Sequence, residues 1–371
     1  MKIGLDLRMI SGGSGISRYI SQLTQNILAL DKTNKYVLLF NQIDEETRKT
    51  YEPYGHEMIE TGIAHYSFAE QSRLPGILNR LNLDLVHFPH FNVPLFYRKP
   101  FVVTIHDLTH THFPGRKKSH FMHRLAYNAV INNAAKRSKK IIAVSKATKN
   151  EVVKYFRIPE SKVDVIYEAA DAKYKVMNKE TAFAHVSNRY GLKKPFILYV
   201  GDWRRYKNLP LLAEAFDRLM FKHFDYDLVL AGRPDSFYPE ISKQVFSVKN
   251  ANRIKAIGRV AEDDLPLLYN ACSLFVLPSL AEGFGLTALE AAACGVPIAC
   301  SDIPALREVL GQAAEYFDPA NLDNVTDVLE DLLSNLPRLE ELANLALKRA
   351  SVFTWKKAAQ ETISLYEHAS E

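Results

Sequence analysis

Residues 278–302 read PSLAEGFGLTALEAAACGVPIACSD, and this stretch decides how the remainder of the chain is interpreted. Glu282 and Glu290 are separated by seven residues, and Gly283–Gly285 between them form a flexible turn. Strong helix formers follow the turn. The pattern therefore predicts a loop that leaves a strand at Glu282 and a helix that carries Glu290 one to two turns inside.

The start of this helix is a candidate anion site. Backbone N–H groups near Gly285, Leu286 and Thr287 would lie at the helix N-terminus, where unpaired donors and the helix dipole favour phosphate. The carboxylate of Glu290, further inside the helix, could reach the hydroxyls of a ribose. A capped helix packed on a sheet, without a ligand, is the alternative that the spacing leaves open.

Strand-like and helix-like segments alternate along the chain. Short apolar runs bounded by Gly, Pro, Asp or Ser suit parallel strands that are buried on both faces. The strand candidates include MKIGLDL, YVLLF, DLVHF, FVVTIHD, KIIAVS, VDVIY, FILYVG, YDLVLAG, RIKAIG, LFVLPS and PIACS. Amphipathic stretches such as ISRYISQLTQNILAL and PLLAEAFDRLMF lie between them. Repeated strand–helix units predict a doubly wound α/β fold.

The alternation breaks once, in a segment without a strand that runs from YEAAD to GLKKP. The break predicts a first Rossmann-like domain over residues 1–175 and a second over 190–352. Residues 353–371 are expected to form a last helix that packs back on the first domain. Two such domains facing each other would place the carboxyl ends of both sheets around one cleft, where ligands bind in this architecture.

The composition excludes several classes of protein. Of 371 residues, 47% are hydrophobic and 24% charged, which is typical of globular domains and rules out a disordered chain. A net charge of +5 is too small to indicate nucleic-acid binding by the whole molecule. The cysteines Cys272, Cys294 and Cys300 are interpreted as small buried hydrophobes in a reducing compartment. The first residues, MKIGLDL, read as a strand and not as a signal peptide, so a cytoplasmic protein is expected.

The segment around Glu282 and Glu290 resembles the donor site of the retaining glycosyltransferases of family 4, also called glycosyl transferases group 1, which have the GT-B fold. The resemblance also covers GGSGISRYISQL, VVTIHDL, AVSKAT, YVGDWRRYKNLPLLAEAF, VLAG and LPLLYNACSLFVLPS, in the order of the family. HFPHFNVP followed by VVTIHDL is most similar to bacterial mannosyltransferases that build O-antigen and related polysaccharides. The resemblance implies transfer of a sugar, with mannose from GDP-mannose as the preferred donor, to a glycan or lipid-linked acceptor.

The resemblance also implies roles for individual residues. Lys207 and a basic neighbour, either Arg204 or Arg205 with Arg204 preferred, would grip the donor diphosphate and stabilise the charge of the leaving group. Glu282 would bind a sugar hydroxyl near the reacting carbon, and His106 would contact the sugar from the first domain. The implied catalytic residues are His106, Glu282, Lys207 and Arg204.

The remaining candidates would bind the donor. The loop Gly12-Gly13-Ser14-Gly15 follows the first strand, and its glycines would let the backbone approach a pyrophosphate or the acceptor, although a plain turn is the alternative. Backbone and side chains at the ends of two further strands would lie near the nucleobase. The implied donor-binding residues are Gly13, Gly15, Arg205, Arg233, Arg259, Val260, Gly283, Phe284, Gly285, Leu286, Thr287 and Glu290.

No metal or other cofactor is expected. The sequence Asp225-Tyr226-Asp227 resembles a metal-nucleotide motif, but it precedes its strand, so it is interpreted as a solvated turn. His110, His112, His120 and His123 lack a Cys or carboxylate cluster that would complete a metal site. Lys207 and its Arg neighbour would supply the positive charge that a metal supplies elsewhere.

Residues 108–150 contain no Asp or Glu but ten basic residues, interleaved with Phe113, Phe121 and Tyr127. The ten are Arg116, Lys117, Lys118, Arg124, Lys136, Arg137, Lys139, Lys140, Lys146 and Lys149. This region predicts contact with an anionic membrane surface at the inner face of the cytoplasmic membrane, or with a lipid-pyrophosphate acceptor. A solvated helix face is the alternative, and no recognition motif favours nucleic acid.

Three competing functions remain open at this point. The enzyme could use a UDP-sugar, or it could be another GT-B enzyme such as a nucleotide-sugar 2-epimerase or a phosphorylase. A non-catalytic binding subunit of a polysaccharide assembly complex is the alternative from a different class. The presence of Glu282, Glu290, Lys207 and His106 favours transfer over a binding subunit.

Overall fold

The computed structural model describes residues 1–11, 15–113, 115, 121–222 and 224–370. The chain divides into two compact units. The first comprises Met1–His110, Pro114–Glu168 and Thr354–Glu371. The second comprises Thr111–Phe113 and Ala169–Phe353.

The regular elements alternate as the sequence predicts. The strands are β1 (Lys2–Asp6), β2 (Lys35–Phe40), β3 (Glu57–Glu60), β4 (Leu85–Phe88), β5 (Phe101–Ile105), β6 (Lys140–Ala143), β7 (Val163–Val165), β8 (Phe196–Val200), β9 (Asp227–Ala231), β10 (Ile254–Gly258), β11 (Leu274–Leu277), β12 (Ile298–Ser301) and β13 (Glu315–Phe317). The helices are α1 (Gly15–Leu30), α2 (Glu45–Tyr51), α3 (Phe68–Ser72), α4 (Leu74–Arg80), α5 (Thr109–His112), α6 (Phe121–Arg137), α7 (Lys146–Phe156), α8 (Lys179–Tyr190), α9 (Leu209–Met220), α10 (Pro239–Val245), α11 (Leu265–Ala271), α12 (Leu286–Ala293), α13 (Pro304–Leu310), α14 (Leu322–Ser334), α15 (Leu336–Ala350) and α16 (Trp355–Ser370).

The first unit is built on a parallel sheet with the strand order β3-β2-β1-β4-β5-β6-β7 within the described residues. Every residue of β4 and β5 is buried, because helices cover both faces of the sheet. The strand order reverses between β1 and β4. Loops that leave these two strands therefore diverge and open a crevice at their carboxyl ends, which is the usual ligand site.

The last helix, α16, belongs to the first unit and packs against α1. Its Tyr366 is fully buried, and its hydroxyl lies 2.6 Å from Nδ1 of His87 in β4. The ring of Trp355 packs edge-on against Tyr19 of α1, with 5.9 Å between the ring centroids. The end of the chain thus completes the core of the unit that the start of the chain builds.

The second unit has the same plan, with the parallel order β10-β9-β8-β11-β12-β13 among the residues described. Its strand order reverses between β8 and β11, so its crevice lies at their carboxyl ends. The strand candidates read from the sequence omit β3 and β13. Both are short edge strands that carry glutamates and lack a buried apolar run, so the pattern of a central strand does not reveal them.

Cys272, Cys294 and Cys300 are free and buried, and burial raises the pKa of the Cys294 thiol to about 12. The prediction that these three cysteines are small buried residues is therefore confirmed. Among the helices that the structure describes, none has both the length and the apolar character needed to cross a membrane.

Candidate functional site

Lys207 and Glu282 meet at the switch point of the second sheet. Lys207 lies in the loop that follows β8, and Glu282 lies in the loop that follows β11. The two loops are tied together by a hydrogen bond of 2.7 Å from the Leu280 N–H to the Tyr206 carbonyl. Nζ of Lys207 donates to Oε1 of Glu282 at 2.6 Å, and the two side chains are only 14% and 13% exposed. Two residues 75 positions apart in sequence thus form one charged pair.

The electrostatic surroundings keep Lys207 charged. Burial alone would lower the pKa of this ammonium, but the carboxylate of Glu282 and the nearby Tyr206 and Tyr199 raise it well above its usual value. A permanently charged ammonium at a sheet crevice is suited to bind a phosphate, and a carboxylate beside it is suited to accept hydrogen bonds from hydroxyl groups.

The helix α12 begins directly after this pair, as the sequence predicts. Gly285 is its N-cap residue with φ of 90°, and no side chain within the described residues caps the helix start. A Cβ at Gly285 would lie 2.5 Å from Cδ2 of the buried Leu306, so a glycine is required for space as well as for conformation. Leu286 and Thr287, half-buried in the first turn, have N–H groups without an acceptor inside the helix, and such groups are suited to bind an anion.

Glu290 lies in the second turn of α12, where the spacing places it, but it is more enclosed than the sequence indicates. The residue is 1% exposed, and Oε2 accepts a hydrogen bond of 3.1 Å from the Tyr269 hydroxyl of α11. The inner side of α12 packs on α11, which is why the carboxylate points into the protein. Tyr269 is a partner that the sequence did not single out. Contact between Glu290 and a ribose stays a prediction.

The two candidate arginines each pair with a carboxylate. Arg204 contacts Oδ2 of Asp235, in the loop after β9, at 2.6 Å. Arg205 contacts Oε1 of Glu240 at 2.9 Å, and its guanidinium lies over the ring of Tyr238. Neither arginine is paired with Lys207 or Glu282 in the described structure. The choice between them as a diphosphate ligand remains a prediction, although Arg204 is the one joined to a loop at the switch-point edge of the sheet.

The candidates for the nucleobase lie at the same edge. Arg233 follows β9 and is exposed, while Arg259 and Val260 follow β10. The loops after β8 and β9 approach so closely that a Cβ at Gly232 would lie 1.9 Å from the Gly201 carbonyl oxygen. The structure thus places every sequence candidate of the second domain at the carboxyl edge of one sheet, and it does not bring Arg233, Arg259 or Val260 into contact with the Lys207–Glu282 pair.

The interpretation of Asp225-Tyr226-Asp227 as a solvated turn is wrong for Asp227. Asp225 is exposed, but Asp227 is 5% exposed and begins β9. Both carboxylates pair with the guanidinium of Arg253, and Asp225 also pairs with Lys194. This cluster lies at the amino end of the sheet, opposite the Lys207–Glu282 pair, because Asp227 is the first residue of its strand. The carboxylate of Asp227 therefore braces the start of β9 and β10 instead of facing solvent, whereas Asp225 is exposed as predicted.

His106 lies in the first unit, at the carboxyl end of β5. Its Nδ1 is 3.0 Å from Oε1 of Glu168, and its Nε2 is 2.9 Å from the Pro89 carbonyl. The ring edge meets Tyr19, with centroids 4.6 Å apart. Burial would lower the pKa of His106, but the hydrogen bond and charge of Glu168 raise it above its usual value. Glu168 is a partner that the sequence gave no signal for, because it lies 62 residues away.

Part of the glycine-rich loop lies outside the described residues, including the candidate Gly13. Gly15 is the first residue of α1, and a Cβ there would meet no atom within 4 Å. Gly15 therefore lies at the carboxyl edge of the first sheet, but no packing requirement for a glycine is evident at it.

The structure describes seven of the ten basic residues of the region 108–150. Arg116, Lys117 and Lys118 lie outside the described residues. Lys140 lies in β6 and pairs with Asp164, and Arg137 donates to the Tyr97 carbonyl at 2.8 Å. Arg124, Lys136 and Lys146 are exposed, and α6 and α7, the helices that carry them, contact each other. Tyr127 is not a surface aromatic, because it is buried against Phe91.

Within the part of the chain that the structure describes, no three His, Cys, Asp or Glu side chains are grouped so that they could hold a metal ion. That the reaction needs no metal stays a prediction.

Two Rossmann-like units, each with its charged or polar candidates at the switch-point edge, define the GT-B class of glycosyltransferase. Two family models match consecutive parts of the chain. "Glycosyltransferase Family 4" matches residues 13–174, and "Glycosyl transferases group 1" matches residues 180–349. Together they cover nearly the whole chain. The chain belongs to the family 4 glycosyltransferases and is an enzyme.

Similarity to individual proteins agrees with this assignment. The chain is 29% identical to the O-antigen chain mannosyltransferase B of Escherichia coli over 76% of its own length and 74% of that protein. It is 31% identical to the serotype-specific mannosyltransferase WbdA of E. coli over 61% of its length, which is 28% of that longer protein. The crystal structure of Anabaena HepE in complex with UDP and glucose has the same fold, with a TM-score of 0.78 at 17% identity over 99% of this chain and 100% of that one.

Proposed function

We propose that this enzyme is a retaining, metal-independent mannosyltransferase that uses GDP-mannose and extends a glycan or lipid-linked acceptor in polysaccharide biosynthesis. The observation that carries the proposal is the buried Lys207–Glu282 pair beside the N-terminus of α12. Its location at the switch point of the second sheet is where an α/β fold binds nucleotides. The choice of mannose rests on the similarity to O-antigen mannosyltransferases.

Lys207 is suited to the departure of a nucleoside diphosphate. Negative charge grows on the diphosphate as the bond to the sugar breaks, so a fixed positive charge stabilises the transition state more than the bound donor. The pKa of Lys207 is raised, which keeps the ammonium charged throughout the physiological pH range. The N–H groups of Leu286 and Thr287 would bind the same diphosphate from the start of α12.

Glu282 would bind the sugar. Nζ of Lys207 donates to Oε1 of Glu282 in this structure. A donor phosphate that binds Lys207 would take the place of Glu282 as the partner of Nζ. The released Oε1 could then accept a hydrogen bond from a hydroxyl group of the sugar. In a retaining reaction the acceptor attacks on the face that the diphosphate leaves, and the departing phosphate oxygen takes the acceptor proton. Lys207 would hold that oxygen in place for the transfer.

Glu290 and Tyr269 would hold the ribose. The Glu290 carboxylate accepts a hydrogen bond from the Tyr269 hydroxyl in this structure. The two hydroxyl groups of a ribose could donate to the same carboxylate. The base contacts would come from the loops after β9 and β10, near Arg233, Arg259 and Val260. UDP is the alternative base, because HepE, which shares the fold, was crystallised with UDP and glucose.

His106 would act from the first unit. Its Nδ1 bond to Glu168 fixes the ring orientation and favours the protonated imidazole. Nε2 donates to the Pro89 carbonyl, so a hydroxyl of the transferred sugar would replace that carbonyl as the acceptor of the Nε2–H. The acceptor would enter near this edge of the first sheet.

The cations within residues 108–150 would serve a lipid-linked acceptor. Exposed side chains such as Arg124, Lys136 and Lys146 would contact an anionic bilayer, which gives a peripheral location at the inner face of the cytoplasmic membrane. This part of the proposal is independent of the donor chemistry.

A turnover measurement tests the proposal. The purified enzyme is incubated with GDP-mannose and EDTA, with a membrane extract as acceptor source, and the release of GDP is followed. We expect turnover in EDTA with the wild type and none with Glu282→Gln. The anomeric proton signal of the transferred sugar, read by NMR, is expected to show the α configuration of the donor. Release of GDP only on addition of a divalent metal, or an inverted anomer, would contradict the proposal.

A further inference from the structure

Tyr66 has an unusual backbone conformation at the carboxyl edge of the first sheet. Its φ is 59°, in the left-handed region that bulky residues rarely adopt. It lies in the loop between β3 and α3, and 57% of the residue is exposed. Such strain persists only where the surrounding structure holds it, and it is concentrated at ligand-binding positions.

A buried ionic cluster holds the backbone of Tyr66. Oε2 of Glu70 accepts a hydrogen bond of 3.0 Å from the Tyr66 N–H, and Oε1 accepts one of 2.8 Å from Nη2 of Arg8. Arg8 in turn donates to both oxygens of Asp6 at 2.8 Å. The side chains of Arg8 and Glu70 are 1% and 2% exposed. Three buried charges from β1, the loop after it and α3 thus fix one exposed residue.

The ring of Tyr66 is fixed at its other end. Its hydroxyl lies 2.8 Å from Nε2 of His90, which follows β4. The ring also packs edge-on to His90 and tilted to Phe91, with centroids 6.2 and 6.3 Å away. An exposed tyrosine is ordinarily free to rotate, whereas this one is anchored at its backbone and at its hydroxyl. Most of the conformational entropy of the side chain is therefore already lost before anything binds.

A further exposed aromatic lies at the same edge. Phe68 begins α3, two residues after Tyr66, and is 86% exposed. Aromatic side chains exposed together near a ligand-binding edge indicate a binding surface.

We propose that Tyr66 is a stacking platform for a pyranose ring of the acceptor glycan. The apolar face of a pyranose ring packs on an exposed aromatic ring that is already held in place. The location supports an acceptor over a donor, since Tyr66 lies at the switch-point edge of the first sheet, between the loops that follow β1 and β4. This inference rests on the proposed glycosyl transfer for the identity of its ligand, a glycan.

A lipid surface is the other ligand that exposed aromatics could serve. Insertion into a bilayer needs a flexible apolar tip and adjacent cations. Tyr66 instead has a fixed ring, and the charges that hold it are buried and include two carboxylates, Asp6 and Glu70. The observations therefore favour a sugar ring.

Saturation-transfer NMR with α-linked mannotriose, in the absence of any donor, tests the platform. We expect the signal of the wild type to fall at least fivefold in Tyr66→Ala and to be retained in Tyr66→Phe, which keeps the ring. Tyr155→Ala is the matched control, because Tyr155 is also exposed but lies in the last turn of α7, at the opposite edge of the same sheet. Its signal should equal that of the wild type.

Calorimetric titration of the same variants with GDP-mannose separates this inference from the proposed function. We expect donor affinity within twofold of the wild type in Tyr66→Ala, which also shows that the variant is folded. Loss of the mannotriose signal in both Tyr66→Ala and Tyr155→Ala would overturn the platform, as would its absence from the wild type. An unchanged signal in Tyr66→Ala, together with weaker binding to phosphatidylglycerol vesicles, would assign Tyr66 to the membrane and overturn it as well. Donor binding that fails while the Tyr66-dependent signal persists would contradict the donor site alone.

Discussion

The ammonium of Lys207 lies 2.6 Å from the carboxylate of Glu282, in a pair that joins the loops after β8 and β11. Both side chains are largely buried, so the pair costs desolvation energy that its own attraction only partly offsets. A purely structural pair at this position could be replaced by an apolar one of similar volume. The same pair is useful to a transferase, because its two partners bind opposite groups of the donor.

A double substitution separates these two roles. Lys207→Met or Glu282→Gln alone leaves one largely buried group without its charged partner. Breaking a fully buried ion pair costs about 3–5 kcal/mol of stability, and we expect a smaller loss here because both side chains are partly exposed. The double variant Lys207→Met/Glu282→Gln removes the mismatch and should recover most of the unfolding free energy. We expect turnover of GDP-mannose to be abolished in all three. Chemical denaturation and the GDP-release assay measure the two properties.

If the double variant regained turnover together with stability, the pair would be structural only. Near-normal turnover in either single variant would equally contradict the site. Arg253→Met provides a control for loss of an ion pair, since Arg253 binds Asp225 and Asp227 at the opposite end of the sheet. It should lower stability and leave the affinity for the donor unchanged.

Removal of the Tyr269 hydroxyl should affect donor binding through Glu290. Tyr269→Phe leaves Oε2 of a buried carboxylate without the hydrogen bond that the structure shows. We expect the donor Kd of Tyr269→Phe to change by less than that of Glu290→Ala, which removes the carboxylate. A loss of about 1.5–3 kcal/mol is typical of a hydrogen bond to a charged group, equivalent to roughly 10–150-fold in Kd for Glu290→Ala. Equal affinities in the wild type and Glu290→Ala would exclude Glu290 from the donor site.

Gly285→Ala tests the start of α12. The substitution places a Cβ 2.5 Å from Leu306 and forces a side chain into a backbone with φ of 90°. Gly311→Ala is the control, because Gly311 has φ of 58° but open space around its Cβ position. We expect Gly285→Ala to be destabilised by about 1–3 kcal/mol more than the control, since the buried Leu306 has to repack. Equal losses in thermal denaturation would show that space at Gly285 is not limiting.

The Glu168 carboxylate should set the protonation of His106. The pKa of His106 is raised in the folded state, so the protonated ring contributes stability that is fully present below pH 6.5 and is lost as pH rises through the folded pKa. Glu168→Gln removes the charge and should lower the pKa of His106, which NMR titration of the imidazole signals measures. A pKa that is unchanged in Glu168→Gln would show that the hydrogen bond to Pro89 alone determines it.

His87 should make the first unit sensitive to acid. Burial lowers its pKa to about 3, and both ring nitrogens face hydroxyl groups, those of Tyr366 and Thr104. Between pH 6.5 and 3 the unfolded chain binds a proton at this histidine that the folded chain does not. The free energy of unfolding therefore decreases as the pH is lowered, by up to about 1.4 kcal/mol per pH unit. Denaturation at pH 6.5, 5.5 and 4.5 should show a shallower slope in His87→Gln. Parallel slopes in the two proteins would contradict the buried neutral state.

The candidate site of the second unit could be predicted from the sequence because its signals are local. Glu282, the glycine turn and Glu290 are close in sequence, and strand runs place Lys207 and Glu282 at the ends of their strands. The residues that pair with these candidates could not be predicted in the same way. Glu168, Tyr269 and Asp235 are ordinary residues whose importance depends on which distant side chain they meet.

The dependence on distant partners also explains where the sequence predictions were wrong. Asp227 looked solvated because its neighbours are polar, and only the pairing with Arg253 across 26 residues shows that it is buried. Tyr127 looked like a surface aromatic because basic residues surround it in sequence, and only its packing against Phe91 shows that it is buried. The strain at Tyr66 is a backbone property that no residue type reveals. Burial and long-range pairing, which fold topology sets, thus account for what the sequence did not show.

Calorimetric titration with GDP-mannose, in EDTA, tests the central claim most directly, with UDP- and ADP-sugars as comparisons. The account predicts saturable binding of one donor by the wild type, weakened roughly 10–150-fold in Glu290→Ala, lost in the double variant Lys207→Met/Glu282→Gln, and kept in Arg253→Met. Binding of equal strength in the wild type and the double variant would contradict the assignment of the Lys207–Glu282 pair to the donor site.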